Sequence, residues 1–432
     1  MLKYQKTVKG LQIMRDKTIV THFGYDKDAQ GTMAVPIYQT TAYEFNSAEH
    51  AANLFELKEL GNIYTRLMNP TTDVFEKRFA ELEGGVAGIA TSSGMSAIFN
   101  SIVNVAEAGD NIIVASKTYG GTVTLSGHTL KRFGIESRYF DVHNPAELEN
   151  IIDEKTKIIV FESLSNPSID VPDFEGIVSI AKKHKILTLV DNTVATPIHC
   201  KPIELGCDLV CHSTSKYTTG QGLALGGIIV ERDGLNEFLK DNPRYEHFNT
   251  PDESYHGLVY TDLPLPAFCL RVRLALLRDI GNAPSPFNSW LFIQGLEHLP
   301  LRMKQHSESA LKIAQFLESH PKVKKVNYAG LESDKNYKNA KKYLKDGCSG
   351  LLSFEVETKE EALSILDKTK LFSLVVNIGD SKSIITHPAS TTHQQLSSKE
   401  LEKAGVPEGL IRLSIGLEDV EDLIEDLKVA ID

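Results

Sequence analysis

Apolar residues in the middle of the chain fall into short, nearly uninterrupted runs at 88–91, 111–115, 157–162, 186–191, 208–211 and 226–230. Between several of them the apolar positions recur every three or four residues instead, as in FEGIVSIAKKHK at 174–185. Short apolar runs alternating with helical periods predict a mostly parallel sheet covered by helices on both faces. Ahead of this block, 71–85 reads as a helix with Val74, Phe75, Phe79 and Leu82 on one face and Gly84-Gly85 as its stop. Residues 30–45, QGTMAVPIYQTTAYEF, are aromatic but show no helical period. Such a segment cannot bury itself and is expected to wrap another surface, of this chain or of a second copy. From 232 to about 286 the pattern loosens into aromatic and proline-rich sequence, expected to be a lid or entrance loop or an idle mobile one. A long helix at 289–320 then leads to an apolar run at 350–357 and helices at 359–370 and 420–430. The predicted organisation is an N-terminal arm at 1–70, a larger α/β domain at 71–285 and a smaller C-terminal αβ domain at 286–432.

Composition narrows the function classes. The 432 residues carry 46 basic and 57 acidic side chains, a net charge of -11, with no basic cluster interleaved with aromatics. Nucleic acid and anionic membrane are therefore poor candidate partners, and no apolar run approaches a membrane span. The N-terminus is basic but lacks the apolar core of a secretion signal. Five scattered cysteines make no disulfide framework, which fits a reducing cytoplasm. His199, Cys200, Cys207, Cys211 and His212 match no paired zinc template, so they read as core residues and no metal is expected.

Four features carry chemistry. Lys216, in HSTSKY, is the one formally charged residue between Asp208 and Glu231, and it follows a strand end among Ser213, Thr214 and Ser215. A lysine in so uncharged a setting loses its proton readily and can bond to an aldehyde. In ATSSGMSAI, a strand turns into a helix whose first amides, at Gly94 and Met95, form an anion site suited to phosphate. Tyr119, in KTYGGT, follows a strand end where an aromatic can stack on a flat heterocycle. Asp191 closes the otherwise uncharged strand ILTLVD and needs a partner or a protonated ligand nitrogen. An amine, a phosphate cradle, an aromatic plate and a carboxylate for a ring nitrogen are together what pyridoxal 5'-phosphate requires.

These residues lie in strings (PIYQTTAYEF, GNIYTRLMNPT, SSGMSAI, ESLSNPS, VDNTVATP, HSTSKY, HPASTTHQQL, IRLSIGLED) whose order resembles the cysteine and methionine metabolism family of pyridoxal-phosphate enzymes, from about residue 17 to the end. The resemblance implies the aminotransferase-like fold, type I, and covalent attachment of the cofactor at Lys216. It implies that Asp191 pairs with the ring nitrogen beside Thr193, that Tyr119 stacks on the ring, and that Gly94, Met95, Ser213 and Ser215 hold the phosphate. Tyr64 and Arg66 would reach the phosphate of a neighbouring subunit, in a homotetramer built from dimers that share active sites. Arg412 would clamp the substrate carboxylate, with Asn166 among the cofactor contacts and the backbone around Asn377 beside the substrate. Either Tyr64 or Tyr119 would help move protons. The implied reaction is γ-replacement on O-acetyl-L-homoserine by a sulfur nucleophile such as sulfide, giving homocysteine and acetate. The same family also implies two alternatives, condensation with cysteine and γ-elimination. Gln221 stands where the family commonly has histidine and Ser215 where it has threonine. Asn377, where the lyases often have serine, agrees with the sulfur-incorporating branch. His387 and His393 read as hydrogen-bonded loop residues, and Arg271, Arg273 and Arg278 as a solvated or salt-bridged helix face.

Overall fold

Each of the six apolar runs predicted between 88 and 230 is a strand of one sheet in the computed structural model, which describes residues 14–391, 394 and 405–432. The strands are β1 (Ala87–Thr91), β2 (Asn111–Ala115), β3 (Glu136–Phe140), β4 (Thr156–Glu162), β5 (Leu187–Asp191), β6 (Leu209–Ser213) and β7 (Gly227–Glu231), in the order β1-β7-β6-β5-β4-β2-β3. From β6 to β3 all neighbours are parallel, while β7 is antiparallel to both β6 and β1. Two reversals make β1 run in the same direction as β6, so five strand ends that matter below open on one edge.

Alternation decides which core each side chain joins. Ile112, Val114, Ile158, Val160 and Leu189 pack on one face, and Ile113, Ala115, Ile159, Phe161 and Val190 on the other. Both faces being covered, β2 and β7 are buried at every residue, which is why they read as continuous apolar runs. β3 escaped the sequence pattern because it is the edge strand, with exposed Glu136 and Tyr139.

The helix predicted at 71–85 is Pro70–Glu83. The Asn69 side chain accepts from the amides of Thr71 and Thr72, proline opens the first turn, and Gly84 ends the helix at φ 79°. Val74, Phe75, Phe79 and Leu82 face Phe292, Ile293, Leu296 and Leu299 of the long helix Pro286–Ser319. The far half of that helix, through Ala310, Ile313 and Leu317, packs on a second sheet. This sheet comprises β8 (Lys325–Asn327), β9 (Leu351–Glu355), β10 (Ser373–Leu374), β11 (Ile384–Thr386) and β12 (Leu410–Ser414), ordered β10-β11-β12-β9-β8. Helices Lys359–Lys368 and Val420–Ile431 cover it.

One expectation is corrected. The stretch 232–286 is neither lid nor idle loop: it folds into short helical turns, including Leu235–Leu239, Ala267–Arg271 and Val272–Leu277. Tyr245, Phe248, Tyr260, Phe268 and Val272 are fully buried there, in the core beneath the large sheet. Turns this short have no sustained period, so burial left no regular signature in the sequence. The arginines of this stretch tie it down: Arg271 donates to Asn104, and Arg273 to the Glu76 carboxylate at 2.6 Å.

Residues 23–47 carry no helix. Met33, Ile37 and Tyr38 stand exposed on this arm. Among the described residues no helix is long and apolar enough to cross a membrane.

Candidate active site

The carboxyl ends of the parallel strands supply most of the chemistry, as open α/β sheets do. β4 ends in Glu162 and β5 in Asp191, paired in register across adjacent strands. Asp191 Oδ1 accepts from both the amide of Thr193 (3.0 Å) and its hydroxyl (2.5 Å), and the Thr193 hydroxyl oxygen accepts in turn from the amide of Ser213 at 2.8 Å. Burial raises the Asp191 carboxyl above its ordinary range. Burial, and then the neighbouring Asp191 charge, push Glu162 up to about 8. Two carboxylates so placed call for a proton or a cation between strands and ligand.

After β1 the chain turns at Ser92-Ser93 into the helix Gly94–Val103, whose N-cap Ser93 accepts from Ser96. The helix start presses against the end of β6: a Cβ on Gly94 would lie 2.6 Å from Ser213 Cβ and 2.8 Å from its Cα. Only glycine permits this approach, and it joins the free first-turn amides with the Ser213 hydroxyl in one anion-sized cradle. Met95 lies behind it, 3.1 Å from where a Cβ on Gly121 would be, on the same side as the Tyr119 ring. Tyr119 is 43 % exposed, its ring edge lying beside Gly121. The Ser215 hydroxyl is engaged elsewhere, accepting from the Gly226 amide at 3.0 Å and donating to its carbonyl at 3.3 Å.

Lys216 follows this cradle. Its Nζ donates to Asn377 Oδ1 at 2.5 Å, and burial, then Arg412, lower its pKa. Arg412, on β12 of the second sheet, is 4 % exposed. Its Nη1 donates to Asn166 Oδ1 at 3.1 Å and its Nη2 to the Asn377 carbonyl at 2.9 Å, while Nε has no partner. Burial lowers the guanidinium to about 10. Lys216, Asn377, Arg412 and Asn166 thus form one hydrogen-bonded chain across the two sheets. Arg302, on the long helix, holds the backbone that carries the lysine, donating to the carbonyls of Tyr217 and Thr218.

Tyr64 and Arg66 do not join this chain. The Arg66 guanidinium lies over the Tyr64 ring, 5.2 Å from its centroid, and Tyr64 is 40 % exposed. Glu162, Thr118 and Arg302 were not singled out in the sequence. The run KIIVFE ends in a carboxylate just as ILTLVD does, so the signal that marks Asp191 also marks Glu162.

The remaining candidates are structural. Cys200, Cys207 and Cys211 are core residues whose thiols burial pushes up, and His199 bonds the carbonyls of Lys345 and Met303. His387 donates through Nε2 to the Glu408 carbonyl, and His393 lies outside the described residues.

A lysine of lowered pKa, a cradle that a Cβ would fill, a half-exposed tyrosine and a buried carboxylate that wants a proton nearby fit a phosphorylated pyridine aldehyde. The comparisons agree. The model of the Cys/Met metabolism PLP-dependent enzymes matches residues 17–432. An O-acetyl-L-homoserine sulfhydrylase of Leptospira meyeri is 45 % identical over 96 % of each chain, and a homocysteine/cysteine synthase of Kluyveromyces lactis is likewise 45 % identical over 96 % of each. A crystal structure from Campylobacter jejuni, a candidate O-acetylhomoserine (thiol)-lyase carrying N'-pyridoxyl-lysine-5'-monophosphate, superimposes with a TM-score of 0.95 at 54 % identity, covering 97 % of this chain and all of that one. Geometry and kinship therefore converge: the chain belongs to the Cys/Met metabolism PLP-dependent enzyme family.

Proposed function

We propose that this enzyme replaces the acetoxy group of O-acetyl-L-homoserine with sulfur, taking sulfide and releasing L-homocysteine and acetate, a step of methionine biosynthesis. The observation that carries the reading is the chain Lys216–Asn377–Arg412–Asn166, which sets a neutralisable amine beside a buried guanidinium. Relatives named for this activity and for homocysteine synthesis match over nearly the full length.

Pyridoxal phosphate, when bound, supplies an electron-withdrawing ring conjugated to the substrate's α-carbon. Every other contribution comes from side chains of this protein. Gly94, Met95, Ser213 and Ser215 would hold the phosphate at the helix start, the Ser215 hydroxyl being fixed there by Gly226. Tyr119 would stack on the ring, and Asp191, fixed by Thr193, would keep the ring nitrogen protonated, a charge partner that offsets the cost of its burial. Arg412 binds the substrate carboxylate with the donors left over from Asn166 and Asn377, which orients the α-hydrogen. Lys216 would hold the cofactor through its aldehyde, and its Nζ, when free, would be the base for the substrate's α-proton, for which its lowered pKa suits it. Tyr64 or Tyr119 moves protons to and from the γ-side.

Tyr64 and Arg66 complete the phosphate site of a second copy, in dimers that pair into a tetramer. The exposed aromatic arm around Tyr38 and Tyr64 supports this. The reaction belongs in the cytoplasm, in keeping with five unpaired cysteines.

A product assay tests the reading. The protein, saturated with cofactor, is given the acetyl, succinyl and phospho esters of homoserine with sulfide. Homocysteine formed fastest from the acetyl ester supports the proposal. Release of a keto acid and ammonia without homocysteine, or product with cysteine alone as nucleophile, refutes it.

A further inference from the structure

Glu162 does more than end a strand. Its Oε1 accepts from the Thr118 hydroxyl and the Tyr119 amide, both at 2.6 Å, and its Oε2 accepts from the Asn166 amide at 3.1 Å. The first pair sits on the loop after β2, which carries the ring-stacking tyrosine. The last belongs to the loop after β4, whose Asn166 side chain accepts from Arg412. One buried carboxylate therefore fastens the loop against the cofactor ring to the loop that steadies the substrate-carboxylate anchor. We propose that Glu162 is a positioning residue that locks Tyr119 and the Asn166–Arg412 pair into one unit, so that ring and substrate carboxylate are held at a set separation.

The chemistry of the site supports this over simple core packing. A carboxylate placed in register with Asp191 is repelled by it, and a residue chosen for packing alone would be apolar, as its neighbours Val160 and Phe161 are. Both oxygens of Glu162 are committed, and a carboxylate is the side chain that accepts on both ends. Glutamine keeps one accepting oxygen and turns an amide donor toward the other loop. Two donors, on Thr118 and Tyr119, compete for the remaining oxygen against one on Asn166. Glutamine therefore keeps the ring side and releases the Asn166 side, whereas alanine releases both.

This inference rests on the proposed reaction, and the test keeps the two apart. Glu162→Gln and Glu162→Ala are compared with the parent and with Glu231→Gln, which alters a buried carboxylate that bonds the Cys269 amide at 2.7 Å. Three quantities are read: KM and kcat for O-acetylhomoserine, the Kd of the apoprotein for pyridoxal phosphate, and amide hydrogen exchange of the apoprotein. Leaving the part-buried Asn166 amide without its acceptor, Glu162→Gln is expected to raise KM about tenfold with kcat and cofactor Kd within about threefold, and to speed exchange at Asn166 alone. Glu162→Ala is expected to weaken cofactor binding about tenfold as well and to speed exchange at Tyr119 too. Parent-like KM, Kd and exchange in both variants overturn the proposal, as does exchange that rises evenly across the sheet as in Glu231→Gln. A parent protein that makes no homocysteine refutes the reaction, and the apoprotein titration and exchange still decide Glu162.

Discussion

Replacing Arg412 with lysine keeps the charge and removes the fork, which makes it the sharpest probe of the substrate site. A guanidinium has five N–H donors and an ammonium three. In the structure one donor goes to Asn166 Oδ1 and one to the Asn377 carbonyl, and Nε is unpartnered, so arginine keeps enough to meet a carboxylate with two parallel bonds. A lysine that serves both anchors has one donor left. The net loss is one charge-assisted hydrogen bond, about 1.5–3 kcal/mol, or roughly 10- to 150-fold. Since the carboxylate is bound alike in ground and transition states, the loss should fall on KM for O-acetylhomoserine and spare kcat. Steady-state rates at saturating sulfide measure both, and a cofactor titration of the apoprotein, expected within about threefold of the parent, checks that the site is intact. A KM within twofold of the parent, or a fall in kcat at constant KM, refutes the assignment of Arg412 to the carboxylate.

Lys216→Ala is expected to fold, to lose turnover to background, and to lose the borohydride-reducible bond to the cofactor; residual turnover near that of the parent contradicts its role. Arg66→Ala is expected to weaken cofactor retention. Mixed with Lys216→Ala, it should regain activity above the sum of the separate proteins, approaching about a quarter of the parent in random dimers with one intact site among four; mixtures that stay inactive exclude shared sites. The apoprotein should also show a pH signature of Glu162. Its value in the folded chain, about 8, lies above the ordinary 4.5, so between these limits the folded state binds a proton that the unfolded state has released, and stability falls as pH rises by up to about 1.4 kcal/mol per unit. The buried His199, His247 and His306, whose values burial lowers, act in the opposite sense below pH 6.5. The reading is therefore the difference between parent and Glu162→Gln in urea midpoints from pH 6.5 to 8, and a constant difference contradicts it.

Sequence alone determined the large sheet and its covering helices, because strands buried on both faces must be apolar throughout, and β2, β4, β5, β6 and β7 stand where their runs predict. It also marked Asp191, which ends a strand otherwise free of formal charge, and Lys216, which follows the end of another such strand. It did not show β3, whose edge position leaves its residues polar, or the folding of 232–286, whose buried aromatics sit on turns too short for a period. Only the tertiary structure decided that Arg412 of the second sheet meets Asn166 on the loop after β4, and that Glu162 binds two loops at once, since the contacts join residues 246 and 44 apart along the chain. The cause is geometric: burial and periodicity act on neighbours in sequence and leave a trace there, whereas a site built where strand ends converge is set by the order in which strands pair.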